Sequence, residues 1–244
     1  MGHTRAVPTE PHNRILTSHA QAMLRPMGLT QRGRSRTWQE DHGWWVLYVD
    51  FQPSGFAKAT YLNVFLHWLW RLGEDRGTGL SMDLGNRVTG AGAFFEDEEQ
   101  WTVAVEDVVA RAIEEVHRYR ALVPDVASAA RACVRQEEAR IADIMDRDGI
   151  SRDEVSAGWP TWHAAVSSGL AGDVDAAEHY FSRIIRLADD RDFFVPYVER
   201  SREWLRLVRD DHPLFVGEVL EGVNLQRSRL KLPLLAGPAE SSGT

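Results

Sequence analysis

Four polar side chains on two neighbouring apolar runs are the strongest candidates for chemistry in this sequence. Asp50 and Gln52 close the first run, and Asn63 and His67 lie within the second. If Asp50 pairs with Asn63, the two share a face and can meet His67 further along, whereas a register shift of one residue separates them. A carboxylate beside a histidine can perform general acid–base catalysis. With Arg87, these residues define a candidate polar pocket between a sheet and its helices.

A structural explanation of the same residues is favoured over the catalytic one. Asp50 and Gln52 stand at the end of a strand, where such side chains bond to loop amides, and His67 fits a core residue whose hydrogen bonds are satisfied. A second candidate site is the row Arg32, Arg34 and Arg36, which would share one face of a strand and could bind an anion or nucleic acid. The alternative is an edge strand whose charges discourage pairing with other chains, and we favour it.

The sequence does not contain the known catalytic and cofactor-binding motifs that we considered. The sequence has no Gly-Lys-Ser/Thr phosphate loop and no dinucleotide-binding glycine pattern. Its nine histidines are scattered without metal-ligand spacing. Cys133 falls on the apolar side of a predicted helix, where a thiol is usually inert, and no serine stands in a nucleophile-elbow context. We therefore expect no cofactor and no metal.

Composition and charge point to a cytoplasmic globular protein. Hydrophobic residues make up 43% of the 244 residues and charged residues 26%, and a single cysteine suits a reducing compartment. No apolar run reaches the ~20 residues of a membrane helix. Residues 1–93 hold 10 basic and 7 acidic side chains, a charge of +3. Residues 94–244 hold 18 basic and 29 acidic side chains, a charge of −11, so the net charge is −8. Such an acidic protein is a poor candidate for general nucleic-acid binding.

The candidate pocket depends on a central hairpin. Its strands are Trp44–Gln52 and Thr60–Trp70, both rich in Val, Tyr, Phe and Trp, with Pro53 and Gly55 in the connection. Neither run alternates cleanly between apolar and polar residues. A strand that is apolar on both faces must be covered on both faces.

The remaining elements of the first half follow from periodicity and breakers. We predict a helix over Pro11–Met27, a strand over Leu29–Trp38 and a weak strand over Leu80–Val88, with short links that imply an antiparallel sheet. A helix that opens on four acidic residues then presents an apolar stripe beginning at Trp101.

From Asp125 onward the pattern predicts helices only. Asp125 and Asp173 are placed as N-caps, Gly149 as a C-cap, and Ser151 with Glu154 as a capping box. Further helices are expected from Thr161, Pro196 and Pro213. The predicted fold is therefore α+β: a three- to four-stranded antiparallel sheet with flanking helices over 10–123, a helical region packed on it over 124–232, and a disordered tail over 233–244.

Residues of about 10–125 resemble a family of bacterial proteins known as domain of unknown function 4304. The similarity lies in the order of short segments, namely Leu24–Leu29, Arg34–Trp38, Trp45–Gln52 and Tyr61–Val64 followed by His67, and then an acidic stretch entering the Trp101 helix. The resemblance implies an antiparallel sheet with helices and no assigned activity. Trp68 and Trp70 make the third strand more aromatic than the family pattern, which puts a shared ligand in doubt.

The second half is weakly similar to a tetratricopeptide-type helical hairpin. Within Gly172–Phe181 the small residue Ala177 and the aromatic Phe181 fit that pattern, while the preceding helix lacks it and no second copy is present. A generic helical hairpin is the favoured interpretation.

These observations favour a non-catalytic binding protein that acts on another protein, as an accessory or neutralising factor. The alternatives are an enzyme or small-molecule binder that uses the polar pocket, and an anion or nucleic-acid binder that uses the arginine row. A convergent Asp–His pair in a pocket would favour the enzyme, and an exposed aromatic patch would favour the binding protein.

Overall fold

The computed structural model describes residues 10–72, 81–188 and 194–236. The described chain is α+β, as predicted, with an antiparallel sheet and helices followed by an all-helical second half. The sheet has five strands in sequential order rather than three or four. The strands are β1 Thr30–Gln31, β2 Thr37–Asp41, β3 Trp45–Pro53, β4 Ala59–Trp68 and β5 Leu84–Phe94. The helices are α1 Pro11–Leu24, α2 Glu98–Leu122, α3 Val126–Asp148, α4 Trp159–Leu170, α5 Val174–Leu187, α6 Val195–Asp210 and α7 His212–Leu230.

The prediction of one strand over Leu29–Trp38 is wrong. The segment is a hairpin of β1 and β2, in which Gln31 pairs with Trp38. Gly33 adopts a positive φ of 59° in the turn, a conformation that glycine reaches without steric cost. The chain therefore reverses where the sequence pattern suggested a continuous strand.

The central hairpin is β3 and β4, and it is buried on both faces as predicted. Trp45 to Val49 are consecutive buried residues, which a strand can have only when both of its sides are covered. On its other edge β3 pairs antiparallel with β2, with Thr37 opposite Asp50. The aromatic rings of Tyr48 and Phe65 lie 5.5 Å apart and link β3 to β4 on one face.

Strand β5 runs from Leu84 to Phe94, through a glycine-rich segment beyond the predicted end at Val88, while Leu80 of that prediction lies outside the described residues. Gly90 has a φ of 73°, and Ala91 and Ala93 beyond it are buried. Arg87 and Phe94 both contact the ring of Tyr61, although their positions in the sequence differ by an odd number, seven. In a regular strand they would point to opposite faces, so the strand carries an irregularity of one residue, which the positive φ of Gly90 marks.

The chain divides into two compact units. The first unit contains β1, β2, α1 and the larger parts of β3, β4, β5 and α2, and the second contains α3 to α7 with two short segments that precede them in sequence. The described residues of the first unit are 10–42, 46–66 and 85–119, and those of the second are 43–45, 67–72, 81–84, 120–188 and 194–236.

In the first unit, α2 buries the predicted apolar stripe. Its inward residues include Trp101, Val105, Val108, Ala112 and Val116 at steps of three or four. The Trp101 indole N–H donates to the backbone carbonyl of His12 at 2.9 Å, so the largest side chain of the stripe is also hydrogen-bonded.

In the second unit, consecutive helices from α3 to α7 pack against one another in sequence order. Asp125 and Asp173 cap α3 and α5 through their side chains, and Ser151 with Glu154 forms the expected capping box. Helix α4 begins at Trp159 with Gly158 as its N-cap, so the prediction that this helix starts from Thr161 is wrong by two residues. The predicted tail lies in part outside the described residues, which end at 236.

Helix α4 is the most buried helix of this unit and depends on one glycine. Gly169 has no side chain where α7 crosses, and a Cβ at this position would lie 2.7 Å from the ring of Phe215. None of the helices in the described parts of the chain is long and apolar enough to cross a membrane.

Candidate functional site

The sheet of the first unit carries a hydrogen-bonded polar array. The Thr37 hydroxyl donates to one Asp50 carboxylate oxygen at 2.9 Å, and the Asn63 amide donates to the other at 3.2 Å. The same amide group donates to the Gln52 side-chain oxygen at 3.1 Å. Asn63 is only 1% exposed, and these bonds satisfy its amide N–H groups. Asp50 and Asn63 therefore share a face of the β3–β4 hairpin, as the candidate pocket requires.

Arg87 extends this array towards the surface. Its guanidinium donates to the Gln52 side-chain oxygen at 2.9 Å and lies 4.4 Å from the centroid of the Tyr61 ring. Four of the five residues of the candidate pocket, Asp50, Gln52, Asn63 and Arg87, are thus brought together. The array can hold side chains in place and present a cation on an aromatic ring.

His67 belongs to a different cluster, in the second unit. Its Nδ1 lies 3.2 Å from an oxygen of Asp83, and the Nε2 of His163 lies 3.5 Å from the other oxygen. All three side chains are buried. The carboxylate partner of His67 is therefore Asp83, and the acid–base pairing with Asp50 that the sequence suggested does not form.

Asp83 accepts further hydrogen bonds besides the contacts with the two histidines. The backbone N–H of Trp68 donates at 2.9 Å, the Ser81 hydroxyl at 2.7 Å and the Arg71 guanidinium at 3.4 Å. The Gln136 amide holds the backbone carbonyl of Asp83 at 2.7 Å. This carboxylate is thus satisfied by donors from several segments of the second unit.

The protonation of His163 is fixed by an indole group. The Trp70 Nε1–H donates to His163 Nδ1 at 3.2 Å, so that nitrogen accepts and the proton of the neutral ring is on Nε2, facing Asp83. Burial lowers the pKa of His163 and keeps the ring neutral against the opposing effect of Asp83. Nδ1 is thus hydrogen-bonded, whereas Nε2 lies 3.5 Å from the Asp83 oxygen without forming a hydrogen bond of good geometry.

The charge of Asp83 is stabilised even though the side chain is buried. Burial alone would raise the pKa of its carboxyl, but the electrostatic and hydrogen-bonding interactions with the His163 and His67 rings outweigh it, and the pKa is lowered. A buried carboxylate that accepts from the Trp68 backbone, the Ser81 hydroxyl and the Arg71 guanidinium is organised to hold those segments together.

Sequence reasoning missed Asp83 and His163. Asp83 follows His67 by 16 positions and His163 follows Asp83 by 80, so no local spacing connects them. The only signal was the aromatic excess at Trp68 and Trp70, whose rings stack at 4.8 Å beside the cluster.

The three arginines of the proposed anion-binding row do not form a row. Arg32 and Arg34 are exposed in and beside the turn between β1 and β2. Arg36 bonds to the Asn13 side-chain oxygen, and burial lowers the pKa of its guanidinium. The reversal of the chain at Gly33 separates what a continuous strand would have aligned.

Cysteine and metal chemistry find little support among the described residues. Burial raises the pKa of the Cys133 thiol to about 12, so it is neutral at physiological pH and shielded from reagents. Within 10–72, 81–188 and 194–236, no group of three or more His, Cys, Asp or Glu side chains is arranged to hold a metal ion.

Exposed aromatic rings gather at one end of the sheet in the first unit. Phe56 lies fully exposed in the turn between β3 and β4, and Phe94 at the end of β5 is 55% exposed. The backbone N–H of the next residue, Phe95, donates to the Lys58 carbonyl at 2.8 Å, which places the end of β5 beside that turn. The Phe94 ring meets Tyr61 edge-on at 6.3 Å. We name Phe56, Tyr61, Arg87 and Phe94 the sheet-end patch.

Comparisons with known proteins give no match: no family model, no curated protein and no solved structure is similar to this chain. The resemblance to domain of unknown function 4304 stays a prediction.

Proposed function

We propose that this protein is a non-catalytic binding protein of the cytoplasm that docks another protein on the sheet-end patch. The observation that carries the proposal is the exposure of Phe56 and Phe94, two large aromatic side chains at the same end of one sheet. Soluble proteins bury most rings of this size, and exposed apolar patches mark interaction surfaces.

The composition of the patch suits recognition of a protein. Aromatic residues and arginine are enriched at protein interfaces, where they supply most of the binding energy. In the patch Arg87 stacks on Tyr61 and is held by Gln52, so its position is set before a partner arrives. Such ordering reduces the entropy lost on binding.

The partner is expected to dock on the face of the sheet rather than to add a strand to its edge. Strand β5 is the last strand of the described sheet, so its outer edge faces no further strand among the described residues. The irregularity at Gly90 interrupts that edge, and bulges of this kind discourage edge-to-edge pairing. Side-chain contacts with the rings remain the favoured mode.

The chemistry of the partner follows from the two features of the patch. Phe56 and Phe94 require an apolar surface, and the Arg87 guanidinium favours a carboxylate beside it. We therefore expect a protein that presents apolar side chains next to an aspartate or glutamate.

The enzyme alternative is disfavoured by the Asp83 cluster. This convergent Asp–His arrangement is buried, and its carboxylate already accepts from the Trp68 backbone, Ser81 and Arg71, which supports a structural role. The nucleic-acid alternative is disfavoured because Arg32, Arg34 and Arg36 do not share a face and the chain carries a net charge of −8.

The test is site-specific photo-crosslinking followed by reconstitution. A photoreactive phenylalanine analogue is placed at Phe56 or Phe94 in cells of the source organism, and the protein attached to it is identified by mass spectrometry and purified. The same analogue at Leu214, which is 48% exposed on α7 in the other unit, is the matched control. We expect a discrete adduct from the patch positions and none from the control.

Binding of the purified partner then decides the role of the patch. Phe56→Ser with Phe94→Ser should weaken the complex by at least about a hundredfold, since aromatic hot spots contribute about 2 kcal/mol or more each. Leu214→Ser should leave the affinity unchanged. Equal affinity in the patch variant, or adducts of equal yield at Leu214, would show that the patch is not the docking surface.

A further inference from the structure

The second unit contains a groove between α6 and α7 that the proposed function does not use. It encloses about 500 Å³, with Arg71 and Leu72 beside the two helices. A smaller cavity of about 350 Å³ is also lined by Leu72 and Arg200, so the two adjoin. Volumes in this range suit a small organic ligand.

The arginines of the groove are already neutralised. Arg200 on α6 lies 2.9 Å from Glu203 and 3.0 Å from Glu218. The Trp204 indole N–H donates to the same Glu218 oxygen at 2.8 Å, which fixes that carboxylate. Arg71 lies against the carboxylate of Asp83. Neither cation is left to attract an anion.

Two carboxylates of the groove lack such compensation. Glu199 lines the smaller cavity and Glu221 the larger, and both are exposed. Among the described residues, no arginine, lysine or histidine lies within ion-pair distance of either. Four glutamates and two arginines line the combined groove, and Arg71 is already paired with Asp83, so the described lining carries excess negative charge.

Apolar surface and open space lie between these carboxylates. Leu225 on α7 is 53% exposed at the groove, and Leu72 lines both cavities. A Cβ added at Gly222 would meet nothing within 4 Å, so α7 leaves room where a ligand could lie. A hydrocarbon chain that spans the groove would remove this leucine surface from water.

We propose that the groove binds a linear aliphatic polyamine. One ammonium group pairs with Glu221 and another with Glu199, and the methylene chain between them packs on Leu225 and Leu72. A ligand with one cationic group fills only one end, and an anion is repelled. This site is separate from the sheet-end patch and does not depend on the protein partner.

Isothermal titration of the full-length protein with spermidine at low ionic strength tests the proposal. We expect saturable binding of one spermidine per chain, at least tenfold weaker binding of butylamine, and loss of affinity as salt is raised. Absence of saturable heat with spermidine at millimolar concentrations would overturn the proposal, as would equal affinity for butylamine.

Two variants separate the groove from general attraction to an acidic protein. The double variant Glu199→Gln with Glu221→Gln should weaken spermidine binding at least tenfold. The control Asp146→Asn, which removes an exposed carboxylate on α3, should leave spermidine binding unchanged. Gly222→Leu fills the open space without changing charge and should also weaken binding at least tenfold. Circular dichroism confirms that each variant is folded. Unchanged affinity in a folded Gly222→Leu protein would show that spermidine binds outside the groove and would refute the assignment.

Discussion

Replacing Asp83 by asparagine is the sharpest test of how the second unit is held together. The carboxylate accepts from the Trp68 backbone and the Ser81 hydroxyl, and it faces Arg71, His67 and His163 within 3.5 Å. Asparagine has nearly the same shape but carries no charge, and its NH₂ group would face donors. The substitution therefore removes the charge and leaves the surrounding donors in place.

The expected loss is large because the site is buried. Removing one member of a buried ion pair costs about 3–5 kcal/mol, since the partner charge is left uncompensated. Each lost hydrogen bond to a charged acceptor is worth about 1.5–3 kcal/mol. We expect Asp83→Asn to lower the free energy of unfolding by at least about 3 kcal/mol at pH 7, a large part of a typical total of about 5–15 kcal/mol.

The difference between the wild type and Asp83→Asn should also depend on pH. Because the folded protein lowers the pKa of Asp83, its contribution is complete above the unfolded value of about 4. That contribution is lost progressively as the pH falls below about 4 towards the folded pKa. The part of the gap that comes from the charge of Asp83 itself should therefore narrow as the pH falls below about 4.

Urea unfolding followed by tryptophan fluorescence measures these values, since Trp68 and Trp70 lie beside the cluster. The matched control is Asp153→Asn, because Asp153 is exposed and pairs with Arg186 at the surface at 3.0 Å. A surface pair of this kind contributes little, so the control should unfold like the wild type. A loss below about 1 kcal/mol for Asp83→Asn would refute the view that the cluster is desolvated and ionised.

Three further outcomes follow from the second unit. Because burial lowers the pKa of His163, the folded state loses stability as the pH falls below the unfolded value of about 6.5. Urea unfolding between pH 7 and pH 5 should show that His163→Gln reduces this pH dependence of stability. The control His117→Gln, at an exposed position, should leave the dependence unchanged. Gly169→Ala should destabilise by about 1–3 kcal/mol in the same assay because its Cβ would overlap the ring described above, while Gly217→Ala on α7, which has open space, should be neutral or stabilising. Cys133 should react with a thiol reagent only after urea unfolding, since its thiol is buried with a pKa of about 12, and rapid labelling of the folded protein would contradict this.

Local patterns predicted the elements whose stability is local. The stripe of α2, the capping box at Ser151 and the cap at Asp125 depend on residues three or four positions apart, and all are present in the structure. The β1–β2 hairpin was missed because a single glycine, Gly33, reverses a segment that otherwise has the pattern of a strand. The strand predicted for β5 ended at Val88 because glycines follow that residue. In the structure a small residue such as Gly92 fits within this strand, close to the backbone of Thr60.

Candidate sites were predictable only where one strand pair creates them. Asp50 and Asn63 meet because the hairpin of β3 and β4 fixes their register, and Arg87 comes from the adjacent strand. The pairing of His67 with Asp83 and of Trp70 with His163 depends on long-range packing of helices, which no spacing in the sequence encodes. The exposure of Phe56 could not be seen either, because a phenylalanine in a sequence is expected to be buried.

The polar residues of β4 specify a register that its apolar residues leave open. Leu62, Val64 and Leu66 point to one face, Phe65 to the other, and all are buried, so hydrophobic burial alone would tolerate a slip of one residue. Asn63 and His67 lie on the same face as Phe65, and each meets a carboxylate there, Asp50 for the first and Asp83 for the second. A slip would carry both to the opposite face and leave buried donors without acceptors, at a cost of about 1–3 kcal/mol for each group. The buried polar contacts therefore select one register of a strand that is apolar on both sides, a role in specificity that they fulfil whether or not they add net stability.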